Sequence, residues 1–537
     1  MRLRIFGPAA IVWLLALSCA ASAQTNPAAT IAVDTRADRH PISPLIYGAA
    51  FASQKQIKEL NFTLNRIGGN AETRYNWKVN SYNSGQDWFF ASNPSGDLTP
   101  AGTIDSIVAA DQADNAQTMV TLSMIGWVAK IVSPNVTLGS YPVSVFGPQQ
   151  KTDPDHPDLG NGIRPDGTAI YGADPNTANV PSDVTFQKGL VDHLIQKWGP
   201  SAKGGVRFYI MDNEPGIWSY NHRDVHPYGY TSRELADDII NYGSMVKAED
   251  PDAIVVGPEE WGWPNYINSG ADGTTYLDRK SRGGMDNLPW ILKYIHDHDV
   301  ETGKRTLDYF TVHLYPQGGD STDDESEKIE LLRNRDTRQL WDPNYTDESW
   351  IKSNIMLIPR MKSWVASSYP GTKIGITEYN WGAEKTMNGA TAQADALGIF
   401  GREGLDLAAR WGIPDESTPT FQSMLMYRNY DGKDSAFGDE SIADQPDCNP
   451  DLLSSFAATR NTDGALTVIV INKVLSGSTP ITIALSHFAQ AGSADIWQLS
   501  SGNPIAHLDP IAYTNGQIQT TVPAQSVTMF VIPRHGR

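Results

Sequence analysis

Cysteine is almost absent: the 537 residues contain two, Cys19 and Cys448. If the first falls in a removed leader, one cysteine remains and no internal disulfide can form, so the chain must be held by packing. Basic residues are also few, 42 Lys and Arg against 61 Asp and Glu, giving a formal net charge of -19. Such a surface repels phosphate backbones and anionic lipid, which argues against nucleic acid or a membrane as partner. Beyond residue 23 no apolar run approaches the length needed to cross a bilayer. Internal repeats and low-complexity linkers are lacking too. Mean hydropathy is -0.36, ordinary for a globular chain long enough for one large domain and a smaller one.

What is present begins with an address. Arg2 and Arg4 precede the apolar run Ala9–Leu17 and the small-residue site Ala21-Ser-Ala23. This pattern predicts a signal peptide over 1–23 and secretion, with the periplasm as the alternative compartment. Cleavage removes two arginines and no acid, so the mature chain is more acidic still. Lipidation at Cys19 competes, but Ala16-Leu-Ser-Cys19 fits a lipoprotein box poorly.

Two stretches carry the chemistry: Phe208-Tyr-Ile-Met-Asp-Asn-Glu214-Pro215 and Lys373-Ile-Gly-Ile-Thr-Glu378-Tyr379. Each is a β-branched and aromatic run that stops at a glutamate, where a buried strand emerges into a cleft. Strands alternate with amphipathic helices in the order of a (β/α)8 TIM barrel, whose active site lies at the C-terminal rim. The expected strands are 45–51, 62–67, 118–125, 206–211, 253–257, 307–313, 373–377 and 420–427, with a helix over 392–411 before the last. The glutamates then fall on strands four and seven. A Pro/Gly/Asp-rich excursion over 133–180 is too long for a connector and belongs to the rim. The texture changes near residue 437 to short alternating runs at 466–472, 481–485, 494–499 and 526–532, a small antiparallel β-sandwich. Residues 31–34 read as an extra strand crossing into it. The expected division is thus 1–23 leader, 24–44 N-terminal strand, 45–435 barrel and 436–537 sandwich.

Two carboxyls delivered by different strands are what glycosidic bond cleavage needs: one protonates the leaving oxygen, the other attacks the anomeric carbon or activates water. Pairs on strands four and seven usually lie close enough for double displacement with retention. Asn213 is suited to a sugar 2-hydroxyl, although an Asx turn would use it equally well. Glu378 has a second reading as an ion-pair partner of Arg66, compatible with being a nucleophile. The remaining candidate substrate-binding residues are Arg66 and Asn70 at the end of strand two, His313 and Tyr315 at the end of strand six, and five tryptophans just past strand ends: Trp77, Trp127, Trp218, Trp261 and Trp381. A satisfied core histidine and core-filling tryptophans are the plain alternatives.

The segments Arg66-Ile-Gly-Gly-Asn-Ala-Glu-Thr-Arg-Tyr-Asn-Trp77, Met211-Asp-Asn-Glu-Pro215, Val312-His-Leu-Tyr-Pro316, Leu340-Trp-Asp-Pro343 and Ile376-Thr-Glu-Tyr-Asn-Trp381 resemble glycoside hydrolase family 44. That family comprises retaining endo-β-1,4-glucanases and xyloglucanases with a barrel and a β-sandwich. The resemblance implies Glu214 as acid/base and Glu378 as nucleophile. The expected partner is a plant cell-wall β-glucan, and the abundance of Trp and Gly near the rim, as in Trp261-Gly-Trp263 and Trp381-Gly382, leads to the expectation that branched xyloglucan is accepted at least as well as linear glucan. No organic cofactor is required, and a monomer is expected. Asp153, Asp155 and Asp158 in the long loop offer hard oxygens with nearby glycines, a candidate structural calcium site; a solvated acidic loop fits equally well. His222 and His226 are spaced i, i+4, but Pro227 breaks any helix and no zinc-protease glutamate lies between them. The rival functions are a non-catalytic glycan-binding protein, a metal-dependent hydrolase or esterase using those histidines, and a retaining hydrolase of xylan or mannan.

Overall fold

The computed structural model describes residues 25–502 and 504–534; the expected signal peptide, with Cys19, lies outside them. Eight parallel strands form one sheet in sequential order: Gly48–Ala50, Leu64–Ile67, Gln117–Leu122, Phe208–Met211, Ile254–Glu260, Tyr309–Leu314, Lys373–Tyr379 and Leu407–Ala408. The sheet closes on itself where Ala50 N–H donates to the Arg410 carbonyl (2.8 Å) and Arg410 N–H to that of Gly48 (3.0 Å). Side chains alternate along each strand, so one set fills the barrel: Leu64, Met119, Phe208, Ile210, Val256, Tyr309 and Leu407 form a closed cluster. Continuing that inward face in steps of two residues leads from Leu64 to Arg66 and from Tyr309 through Thr311 to His313, so the apolar floor gives way to charge at the rim.

The eighth strand differs from expectation. It is only two residues long, Leu407–Ala408, while the run over 420–427 lies in a helix, Pro419–Arg428. Thr418 caps that helix through its hydroxyl and Pro419 opens it, a start signal that outweighs the apolar run which reads as a buried strand. The helix expected over 392–411 is Met387–Arg402.

The sandwich sheets run in the order 506–513, 492–499, 526–532, 466–472, 453–459, 440–446, 29–34, 479–486 and 517–522. Leu466–Asn472 and Ser526–Ile532 coincide with the expected strands, residue for residue. Ala29–Asp34 lies parallel to Thr479–Ser486 and antiparallel to Glu440–Pro446, burying Ile31 and Val33 with Val468, Val470, Ile483 and Phe530. Barrel and sandwich meet along Met387–Arg402. There Gly398 faces Phe456, whose ring lies within about 2.1–2.5 Å of where a Cβ would stand. Beside it, Asp395 takes the buried Lys473 ammonium at 2.5 Å and the hydroxyls of Thr337 and Ser454, each at 2.6 Å. Among the described residues, no helix is long and apolar enough to cross a membrane.

Candidate active site

Irregular backbone aims the carboxyls. At the end of strand four Asp212 and Glu214 occupy left-handed conformations, φ 61° and 45°, a cost borne by non-glycine residues mainly where the position matters. The turn is pinned by the Asp212 carboxylate, which accepts N–H bonds from Met124, Ile125 (3.1 Å) and Asn213 (2.7 Å), and by Trp218, whose indole donates to the Asn213 carbonyl at 3.0 Å. Register shifts interrupt strand five between Pro258 and Glu260 and strand seven beside Val312–His313, so that Glu378 comes opposite His313. Such bulges re-aim side chains at a barrel rim.

The result is one connected network. Arg66, buried, donates from Nη1 to Glu378 Oε1 (2.7 Å), from Nη2 to Asn213 Oδ1 (2.8 Å) and from Nε to Glu259 Oε2 (3.0 Å). Tyr315 donates to the other Glu378 oxygen at 2.8 Å. His313 faces Glu214 Oε1 through Nδ1 (2.8 Å) and Glu259 Oε2 through Nε2 (3.2 Å). Asn213 donates to Asn70 Oδ1 at 3.2 Å. An oxygen of Glu214, an oxygen of Glu378 and a ring nitrogen of His313 lie within 4.8 Å of one another. Three such groups can also receive a cation; here Arg66 already supplies a positive charge.

Burial drives the Glu214 carboxyl above the ordinary glutamate range, and the Glu378 charge adds to the effect against the opposing His313 and Arg66. Burial alone would strip His313 of its proton, but Glu378, Glu214 and Glu259 outweigh it and push the ring up to about 9. Glu72, near the same centre, is raised to about 8 by burial. The site therefore holds a protonatable carboxyl beside a carboxylate fixed by a guanidinium and a phenol, a pair able to give a proton and a nucleophile to one bond.

Two glycines make the close packing possible. A Cβ on Gly68 would stand 2.5–2.7 Å from the Arg66 guanidinium; on Gly69, at φ +128°, it would meet the Trp411 ring at 2.8 Å.

Seven of the sequence candidates thus converge: Glu214, Glu378, Asn213, Arg66, Asn70, His313 and Tyr315. Of the tryptophans, only Trp261 joins them, lining a cleft with Trp263, Tyr266, Gln317 and Trp350 next to His313 and Tyr315. Trp218 and Trp381 are buried. Trp77 turns onto the helix Val184–Trp198, donating to the Phe186 carbonyl and packing on His193. Trp127 is half-buried in a strand pair opposite Pro181. The loop acids are not drawn together as a calcium cage. Asp153 accepts from the Trp88 indole and the N–H groups of Asp155 and His156; Asp158 anchors Ser144; Asp155 is exposed. His222 is buried and His226 faces Glu234 at 3.2 Å.

Sequence reasoning missed three contributors. Glu259 was visible as a glutamate ending the strand-five run, but nothing distinguished it from Glu260. Trp350, 56% exposed, and Trp411, 38% exposed, stand on the rim in segments with no strand-end signature.

The chain is matched by the family model "Glycoside hydrolase family 44" over residues 81–318. A solved bifunctional glucanase-xylanase from a metagenome library is 49% identical, with a TM-score of 0.93 over 95% of this chain and 100% of that one. A family 44 xyloglucanase from Paenibacillus polymyxa is 29% identical, with a TM-score of 0.80 over 95% and 100%. Endoglucanase A of Paenibacillus lautus is 29% identical over 99% of this chain and 77% of its own length. With nearly half its residues shared across a whole relative, and the paired carboxyls in place, the chain is a glycoside hydrolase and belongs to family 44.

Proposed function

We propose that the protein is a secreted, retaining, endo-acting β-1,4-glucan hydrolase working by double displacement. The observation that carries the reading is the closeness of Glu214 and Glu378, with oxygens inside 4.8 Å. Retaining enzymes keep their carboxyls about 5–5.5 Å apart, and inverting enzymes leave room for a water between them. Glu378, ion-paired to Arg66, attacks the anomeric carbon while Glu214, its proton retained by burial, protonates the leaving oxygen. The Asn213 amide reaches the 2-hydroxyl, a contact that strengthens as charge develops. Water then enters, Glu214 takes its proton, and the glycosyl–Glu378 ester is hydrolysed; no organic cofactor takes part. Secretion rests on the N-terminal pattern alone.

The test is product stereochemistry by NMR in the first minutes of cleavage. A β-glucan must release β-anomer first; initial α-anomer would sink the retaining assignment. Substrate range is read from reducing ends and viscosity on carboxymethyl cellulose, xyloglucan, xylan, mannan and lichenan. The exposed Trp350 and Trp411 at the rim suit an open groove for stacked sugars, so rapid viscosity loss on linear glucan and at least equal cleavage of xyloglucan are expected. The metagenomic relative is described as both glucanase and xylanase, so xylan is the second substrate to weigh. Exclusive activity on xylan or mannan would overturn the glucan specificity and leave the mechanism standing. A glycan-binding protein without catalysis is excluded once Glu214→Gln and Glu378→Gln abolish turnover.

A further inference from the structure

A third glutamate, used by no step of double displacement, underlies the pair. Glu259 has no exposed surface, so it cannot touch substrate. Its Oε2 takes Arg66 through Nε (3.0 Å) and Nη2 (2.8 Å) and faces His313 Nε2 at 3.2 Å; its Oε1 accepts from Thr311 at 2.9 Å. Its own backbone is in the left-handed region at φ +60°, and its carbonyl accepts the Glu214 N–H at 3.1 Å. A buried ion pair seldom stabilises a fold more than apolar packing would, so stability gives little reason for a carboxylate here. Its two charged partners do give one: Arg66 holds Glu378, and His313 holds Glu214.

Resting on the reading of Glu214 as acid/base, we infer that Glu259 is a positioning residue which fixes His313 and, through it, sets the pH range in which Glu214 keeps its catalytic proton. A carboxylate behind Nε2 directs that ring N–H downward and leaves Nδ1 facing Glu214. The groups around the ring come from four strands: Glu214 from strand four, Glu259 from strand five, Glu378 from strand seven (3.6 Å from Nδ1) and Arg66 from strand two (3.4 Å from Nε2). Tyr266 meets only the His313 carbonyl. Burial opposes charge on Glu259, but Arg66 and His313 hold it down to about 2, so it is an anion throughout the working range. Removing this charge leaves Arg66 unbalanced beside the ring and lowers the proton affinity of both His313 and Glu214.

The experiment compares full-length Glu259→Gln and Glu259→Asp with the wild type. It follows kcat/KM on soluble glucan against pH, and the His313 ring resonances by 15N NMR. For Glu259→Gln, the alkaline limb should move toward acid by about one pH unit or more, with His313 losing its proton at correspondingly lower pH. KM should change less than kcat. Glu259→Asp, which keeps the charge, should restore the limb even if kcat stays low. An unmoved limb and unmoved ring titration in Glu259→Gln would overturn the proposal, as would equal profiles for the two variants. If Glu259→Gln fails to fold, a wild-type His313 ring that is neutral and lacks a proton on Nε2 at pH 7 is enough to overturn it. Full activity in Glu214→Gln would instead mark the acid/base reading as the one at fault, and the NMR comparison would still judge the Glu259–His313 link.

Discussion

Arg66 and Glu378, from strands two and seven, meet as a buried pair with Nη1 and Oε1 2.7 Å apart. The same guanidinium spans Asn213 and Glu259, so one side chain on strand two fixes groups from strands four, five and seven. Ion pairing and nucleophilicity are compatible here: the contact takes one Glu378 oxygen and Tyr315 the other, holding the carboxyl at a defined angle.

On the proposed mechanism, removing Glu214 should be felt in proportion to how poor the leaving group is. Glu214→Ala is expected to lose about 10²–10⁴-fold in kcat on polysaccharide but far less on a dinitrophenyl glycoside, which departs unaided. Added azide should then yield a β-glycosyl azide, and with Glu378→Ala an α-glycosyl azide. Equal losses on both substrates would remove Glu214 from the acid role.

Gly68→Ala tests how tightly Arg66 is held. The new methyl would stand 2.5–2.7 Å from a guanidinium whose nitrogens are already committed, so the pair with Glu378 must shift. A misplacement of about 1 Å costs about 10²-fold in rate. Circular dichroism should stay native while kcat falls by that order.

Stability should be greatest in mild acid and decline toward alkali. His313 is raised to about 9, so its contribution is complete below the unfolded value of about 6.5 and lost as pH rises through 9. Burial raises Glu260 and Glu72 to about 8 and Asp212 to about 7; each resists an ionisation the unfolded chain completes near pH 4, which adds a loss of the same sign. Glu259, held at about 2, pulls the other way, its contribution being lost as pH falls from about 4 to 2, and the lowered carboxyls of Asp105, Asp278 and Glu234 act with it. A Tm–pH scan should therefore peak near pH 5 and drop by pH 9, less steeply in His313→Gln.

Asp395→Ala would strand the Lys473 ammonium, whose side chain is 3% exposed, between barrel and sandwich. An uncompensated buried charge costs about 3–5 kcal/mol, readable as a lower urea midpoint. Asp395→Ala combined with Lys473→Met should recover part of it, since the cost lies in the orphaned charge.

Strands one to seven and both glutamates were legible because burial on two faces leaves continuous apolar runs, and a carboxyl that ends such a run marks the point where the strand meets a polar cleft. Strand eight was not, since two residues carry no period and Met424-Leu-Met426 has the same apolar texture whether it lies in a buried helix or a strand. Arg66, Asn70, Asn213, His313 and Tyr315 stood at strand ends and converged as a barrel requires. The tryptophans failed as a class: position past a strand end does not say whether an indole faces sugar, as Trp261 faces the cleft, or braces a turn, as Trp218 does. The acids of the long loop were read by composition, whereas backbone N–H groups had first claim on Asp153 and Asp158.

The strand Ala29–Asp34 imposes an order of events on synthesis. It is translated before the barrel, yet its neighbours Glu440–Pro446 and Thr479–Ser486 come from the last fifth of the chain, and Asn26 bonds to Ser476 across 450 residues. The N-terminal segment must therefore wait with its strand edges unpaired until ribosomes have nearly finished, a long-range closure that is slow and exposed to aggregation. Cutting the chain near residue 436 would not separate a catalytic half from an accessory one. It would leave Ile31 and Val33 in one fragment and the core they fill in the other, so yield of soluble enzyme should depend on the sandwich even where hydrolysis does not.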